Sequence, residues 1–222
     1  MKTFRSFEYT HEKELPTGHT NEIRAPEALV EEFLTEYSSP GDRVLDIFAG
    51  YGTTLTVAEQ LDRIPYGLEY EPERASYIKE QIQHSDNVRQ GDVLELDPSW
   101  FPACDCCYTS PPFMVQSDHR NPLQNYSGES TYKEYLDDLE TAFTRLESVL
   151  TSNATVIVDV TNMKFEGRVT PLAWDVAKRV SNVFHFEGET VITWKSTAND
   201  GEESFGYGYD HSYCHIFTTG DE

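Results

Sequence analysis

The stretch Arg43-Val-Leu-Asp-Ile-Phe-Ala-Gly50-Tyr-Gly52-Thr-Thr54 runs from an apolar segment, through two glycines, into residues that read as a helix. Arg43 to Phe48 is predicted to be a buried strand, and Thr53 to Leu61 a helix. The glycines let the backbone turn tightly and approach a ligand, and the helix start offers unpaired N–H groups. A dinucleotide fingerprint would want a third glycine at position 55, where Leu55 stands. The turn therefore suits a nucleoside without a pyrophosphate.

Outward from this unit the same alternation repeats. Pro26 to Leu34 carries Leu29, Val30, Phe33 and Leu34 at helical spacing, with Pro26 as a first-turn residue. Strands are expected at Ile64–Glu69, Asn87–Asp92, Cys104–Thr109 and Ala154–Val160. Helices are expected at Glu73–Gln83, Tyr132–Leu150 and Leu172–Val183. Two final strands, Val191–Trp194 and Tyr213–Thr218, have no helix between them. The pattern predicts an α/β fold with a doubly wound, mostly parallel seven-stranded sheet of Rossmann-like type, closed by a C-terminal antiparallel hairpin. Residues 1–20 are polar and irregular and read as an N-terminal arm or short lid. Residues 21–222 read as a single domain without a separate target-recognition domain. Two long loops, Met114 to Ser130 and Ser196 to Asp210, are of a length that is more often functional than accidental.

The 222 residues hold 39 Asp+Glu against 17 Lys+Arg, for a formal charge of −22. Acids are spread along the whole chain and form no single block, so they read as a solvated surface of the kind that suits a saline cytoplasm. Such a charge runs against the usual footprint of a nucleic-acid binder. No apolar run approaches the roughly 18 residues that span a bilayer, and no signal peptide opens the chain. These features exclude membrane, secreted disulfide-scaffold and low-complexity classes, and imply a cytoplasmic protein. Cys104, Cys106, Cys107 and Cys214 form no C-x-x-C pair and read as buried strand thiols in a reducing compartment. His211 and His215 fall on a strand, so no metal is expected.

Chemistry-bearing residues gather at strand ends. Glu69 closes the second strand, where a carboxylate can accept both hydrogen bonds of a ribose diol. Asp92 closes the third, suited to an exocyclic amine donor on a purine. Thr109-Ser-Pro-Pro-Phe113 closes the fourth. Its two prolines lock φ and remove two N–H donors, leaving a stiff arch lined by the carbonyls of Ser110 and Pro111. The Ser110 hydroxyl adds an adjustable donor or acceptor, and Phe113 a flat face for a planar ring. An amine pointed at such an arch is held by its hydrogens, with its lone pair turned toward attack.

Asp46-Ile-Phe-Ala-Gly-Tyr-Gly-Thr-Thr54 together with Thr109-Ser-Pro-Pro-Phe113 resembles the S-adenosylmethionine-dependent amino-methyltransferases that modify cytosine N4 or adenine N6 in nucleic acids. His19-Thr-Asn-Glu-Ile-Arg-Ala-Pro-Glu-Ala-Leu-Val30 is similar to the helix-opening motif that in the family helps hold the methionine half of the cofactor. The resemblance extends from about Thr17 to Phe217, with the motifs in unpermuted order. It implies a class I methyltransferase fold and S-adenosylmethionine as cofactor. Asn21, Arg24, Asp46, Phe48, Gly50, Gly52, Thr53, Thr54, Glu69, Asp92 and Thr109 would be the cofactor contacts, with Asn21 and Arg24 at its carboxylate end. Ser110, Pro111, Pro112 and Phe113 would be the catalytic residues. His119, Arg120, Asn121 and Tyr126 would clamp the nucleic acid, with Ser204 to Asp210 as a second aromatic platform.

Ser-Pro-Pro-Phe is closer to the Ser-Pro-Pro-Tyr of cytosine N4 methylases than to the Asp-Pro-Pro-Tyr of adenine methylases. The implied substrate is cytosine in DNA, adenine next, flipped out of its stack. The alternatives are a cytidine in structured ribosomal or transfer RNA, and a small-molecule or protein amine. Nucleic acid, DNA before RNA, is the expected partner, with no membrane and no obligate protein partner.

Overall fold

A computed structural model describes residues 2–18, 24–195 and 209–220. The elements in chain order are β1 (Phe4–Glu8), α1 (Glu27–Tyr37), β2 (Arg43–Asp46), α2 (Thr53–Gln60), β3 (Ile64–Glu69), α3 (Pro72–Gln81) and β4 (Val88–Gln90). They continue with β5 (Cys104–Thr109), α4 (Tyr132–Glu147), β6 (Leu150–Val160), β7 (Met163–Phe165), β8 (Arg168–Thr170), α5 (Leu172–Val180), β9 (His185–Lys195) and β10 (His211–Thr218).

Eight strands form one sheet in the order β1-β9-β10-β6-β5-β2-β3-β4. From β6 to β4 every pair is parallel, whereas β10 runs antiparallel to both β6 and β9. The doubly wound architecture with a closing hairpin is thus present. The sheet gains one strand over the expected seven, because β1 pairs parallel with β9. Its apolar pattern is inverted: Phe4 is 61% exposed, whereas Arg5 is buried. Arg5 lies over the Phe33 ring and pairs with Glu32 and Glu36 of α1. Those carboxylates compensate a charge that burial alone would expel.

Each face of the sheet is covered by helices whose apolar stripes are complete. Leu29, Val30, Phe33 and Leu34 of α1 are fully buried against Val44, Tyr108, Ile157 and Ile216. The opposite face packs Tyr135, Leu139, Phe143 and Leu146 of α4, with Leu172 and Val176 of α5, on Val156 and Val158. Helix α4 starts at a capping box, in which the Thr131 hydroxyl accepts from the Glu134 N–H and Glu134 accepts from Thr131. It stops at Glu147, short of the expected Leu150, because Leu150 already opens β6. The four cysteines are free and buried. A two-strand hairpin, β7–β8, sits between β6 and α5, where the sequence pattern marks no element. No helix among the described residues is long and apolar enough to cross a membrane.

The glycine turn is fixed by packing as well as by dihedral. Gly52 has φ +80°, and a Cβ there would lie 3.0 Å from two carbons of Ile78 on α3. Gly52→Ala is therefore expected to cost about 1–3 kcal/mol, from left-handed strain and overpacking. A urea titration checks this: the midpoint should fall at unchanged slope, and an unmoved midpoint would refute the packing account.

Candidate active site

The carboxyl ends of the parallel strands bring three predicted turns together. Asp46 ends β2, Glu69 ends β3 and Thr109 ends β5. Asp46 is 4% exposed, and its Oδ1 accepts from the Phe48 N–H at 3.0 Å and from the Thr109 hydroxyl at 2.7 Å. Burial pushes its carboxyl up, opposed by the hydrogen bonds from Thr109, Phe48 and Thr54. One carboxylate thus joins the glycine turn, the start of α2 and the strand that leads into Ser110. Thr109 is fully buried with its hydroxyl given to Asp46. It was expected to touch cofactor; its side chain instead braces the two turns against each other.

Glu69 is also buried, and its two oxygens accept from Gly50 N–H at 2.7 Å and Glu71 N–H at 2.9 Å. Desolvation raises its carboxyl, with those two amides working the other way. Each oxygen keeps a lone pair beyond its amide, so the group holds the turn closed and can still accept from a diol. Gly50 has φ +56°, and a Cβ built on it would meet nothing nearer than the Phe48 carbonyl at 3.8 Å. Among the described residues, that direction from Gly50 is free of close neighbours. Asp92 caps the short helix Val93–Glu95 by accepting from Leu94 N–H at 2.9 Å. Phe48, Thr53 and Thr54 stand around the turn, Thr54 buried and the other two partly exposed. These groups suit an adenosine-like ligand: an open glycine turn, a diol acceptor and a further acid on the next strand.

Two predicted contacts have partners within the chain. The Arg24 guanidinium donates to the Lys13 carbonyl at 2.7 Å and lies 3.4 Å from Glu27. It ties residue 13 to α1, and it also lines a small cleft with Tyr51 and Thr53 of the glycine turn. Asn121 is fully buried; its Oδ1 accepts from Leu123 N–H at 2.9 Å and its amide donates to Asp138 at 2.7 Å. It shapes the loop from within and offers no amide to a substrate. His119, Arg120 and Tyr126 of the same loop are exposed, Tyr126 by 59%. Asn21 and the aromatic segment 204–208 lie outside the described residues.

The diproline turn is pinned from behind. Pro111 is buried, and the Tyr135 hydroxyl of α4 donates to the Pro112 carbonyl at 2.9 Å. Met114 and Val115 enter the core directly afterwards, leaving Phe113 36% exposed at the rim. Among the described residues, no internal hydrogen bond reaches the Ser110 or Pro111 carbonyls.

Sequence reasoning passed over Asp159, in the apolar run of β6. Thr109 pairs with Val158, so one step further along the register Ser110 neighbours Asp159. Asp159 is 8% exposed, and burial pushes its carboxyl up to about 7. The signal was a lone acid in Ala-Thr-Val-Ile-Val-Asp-Val, where the pattern called only for apolar residues. A surface groove of about 500 Å³ between α4 and α5 belongs to none of this. It is lined by its own ion pairs, Arg179 with Asp137 and Glu140.

The model of a DNA methylase family, N6/N4 type, matches residues 2–80 and 104–222. The chain belongs to that family. Over 70 residues it is 40% identical to the type II methyltransferase M.BglII of Bacillus subtilis, covering 32% of this chain and 18% of that protein. Over 57 residues it is 44% identical to the type II methyltransferase M.SmaI of Serratia marcescens, covering 26% and 20%. The matched stretches thus span about a fifth of the length of these curated relatives. In fold the chain is similar to TrmN from Thermus thermophilus, with a TM-score of 0.58 at 16% identity, over 87% of this chain and 49% of that one.

Thr109→Val keeps the shape and removes the hydroxyl, leaving a buried carboxylate one donor short. A loss of about 1–3 kcal/mol is expected, read by urea unfolding at pH 7. A variant as stable as the parent would mean that Asp46 does not brace the two turns.

Proposed function

We propose that this chain transfers a methyl group from S-adenosylmethionine to the exocyclic amine of a base in DNA, cytosine N4 ahead of adenine N6, with the base extruded from its stack. The observation that carries the reading is the Asp46–Thr109 hydrogen bond, which ties the glycine turn to the strand that leads into Ser110-Pro-Pro-Phe113. Family membership supports the same chemistry.

S-adenosylmethionine, when bound, supplies a methyl group made electrophilic by its sulfonium. Gly50, Gly52, Glu69 and Asp92 would hold its adenosine half. The Ser110 hydroxyl and the Ser110 and Pro111 carbonyls would accept the amine hydrogens and turn the nitrogen lone pair toward the methyl. Phe113 would stack on the base. A bond forms from nitrogen to carbon as the carbon–sulfur bond breaks, and one amine proton must then leave. Asp159 in its ionised form, one register step from Ser110, is the carboxylate proposed to receive that proton. Orientation of this kind can contribute roughly 7–11 kcal/mol to the barrier, without a metal or a covalent intermediate.

Two measurements test the reading. Tritiated methyl from S-adenosylmethionine, offered in parallel to total DNA, total RNA and protein, is expected in DNA as N4-methylcytosine. Ser110→Ala combined with Phe113→Ala should abolish that transfer and leave cofactor affinity within severalfold. Label appearing only in RNA or protein, or a collapse of cofactor binding in the double variant, overturns it.

The second concerns pH. With Asp159 protonated below its raised value of about 7 and ionised above it, transfer should rise through neutral pH and level off. Asp159→Asn should flatten that rising limb and lower the plateau. A parental limb retained in the variant would remove Asp159 from the proton path.

A further inference from the structure

Hairpin β7–β8 starts three residues after β6 ends, at the same strand ends that carry Asp46 and Ser110. Its turn is Glu166-Gly167, both at positive φ, +48° and +77°. That is the two-residue arrangement whose twist matches a tight hairpin. The base is fixed to the catalytic segment, since Gln116 N–H donates to the Thr170 hydroxyl at 3.0 Å. Met163 and Thr170 are buried, whereas every residue from Lys164 to Val169 is exposed. Phe165 stands opposite Arg168 in the ladder and Met163 opposite Thr170. By the two-residue alternation of strands, Phe165 and Arg168 share the face that Thr170 turns toward Gln116.

The tip combines exposed apolar side chains with cations. Phe165 is 55% exposed and Val169 49%. Lys164 and Arg168, like Arg120 of the neighbouring loop, form no ion pair or side-chain hydrogen bond among the described residues. With Glu166 as its one acid, the hairpin sets two cations close to an exposed ring in a chain of 39 Asp+Glu and 17 Lys+Arg. Solubility gives no reason for it. A polyanion with stacked rings does, because phosphates take the cations and a ring can enter a base stack.

We infer that hairpin 163–170 is a DNA-contacting element, in which Arg168, on the face of Phe165, and Lys164, on the opposite face, hold backbone phosphates and Phe165 fills the place left in the stack by the extruded base. This rests on the DNA reading above and adds to it the element that keeps the duplex open. Glu166 at the tip is the one acid of the hairpin, and it sits on the turn rather than on the face shared by Phe165 and Arg168.

The test uses the full chain with one mixed-sequence DNA, offered as duplex and as single strand. Phe165→Ala should lower methyl transfer to the duplex about tenfold or more, and to the single strand by less than about threefold, because a single strand needs no extrusion. Lys164→Ala with Arg168→Ala should weaken duplex binding and reduce the salt dependence by about two phosphate contacts. Lys178→Ala, exposed on α5, should match the parent in every assay. Melting curves and cofactor affinity should be unchanged in all variants. If the parent methylates duplex DNA and both hairpin variants keep its duplex rate, affinity and salt slope, the hairpin inference falls alone. An equal loss on duplex and single strand for Phe165→Ala overturns the wedge role. If the parent transfers no methyl to either DNA, the DNA reading itself fails and this one with it.

Discussion

A buried carboxylate at the end of β2 holds the site together. Removing Asp46 from water is unfavourable unless its oxygens find donors. The donors it finds come from three places: the glycine turn through Phe48, the catalytic strand through Thr109, and α2 through Thr54. The distance between the two working turns is therefore set by short bonds rather than by the flexibility of loops. Glu69 does similar work one strand over, closing Gly50 from the far side. Because both acids are desolvated, their charged forms depend on these donors, so geometry and ionisation are one constraint.

The arginines are used as struts. Arg5 meets Glu32 and Glu36, Arg24 meets Glu27, and Arg179 meets Asp137 and Glu140. Arg63 donates to the Leu34, Ser38 and Leu61 carbonyls and to the Ser38 hydroxyl, stitching α1 to the start of β3. Arg43 and Arg145 likewise hold the Ala103 and Leu96 carbonyls. A chain at −22 that spends most of its guanidinium groups internally has few left to attract a polyanion. Its far field repels DNA, and only salt can mute that field, over a Debye length of about 8 Å at physiological strength. Any contact with a polyanion must then rest on short-range cations.

Much of this was legible in the sequence. Period and punctuation marked α1, β2, β3, β5, β6 and the closing hairpin, because each carries an apolar pattern that one face of the sheet demands. The glycine turn and the diproline were legible because their backbones are unusual. What escaped was non-local. β1 hides a buried Arg5 whose partners lie on α1, so its own residues look polar and irregular. The β7–β8 hairpin turns at Glu-Gly rather than Asn-Gly or Asp-Gly, the stronger signals for such a turn. Asn121 has the right chemistry for a ligand, but Leu123 and Asp138 consume it. No local pattern distinguishes a presented side chain from a committed one.

The remaining question is why the catalytic turn needs such firm backing. Proline fixes two φ angles, but a loop so stiffened can still swing as a body about its ends. Here the upstream end is the buried β5 strand, tied by Thr109. Downstream, Met114 and Val115 are sunk in the core, and in between Tyr135 holds the Pro112 carbonyl from α4. A reacting atom misplaced by 1 Å costs on the order of 10²-fold in rate, more than the net value of any one of these bonds. The three anchors therefore matter less for the stability they add than for denying the arch a direction in which to move. Phe113 is left exposed at the rim of the turn.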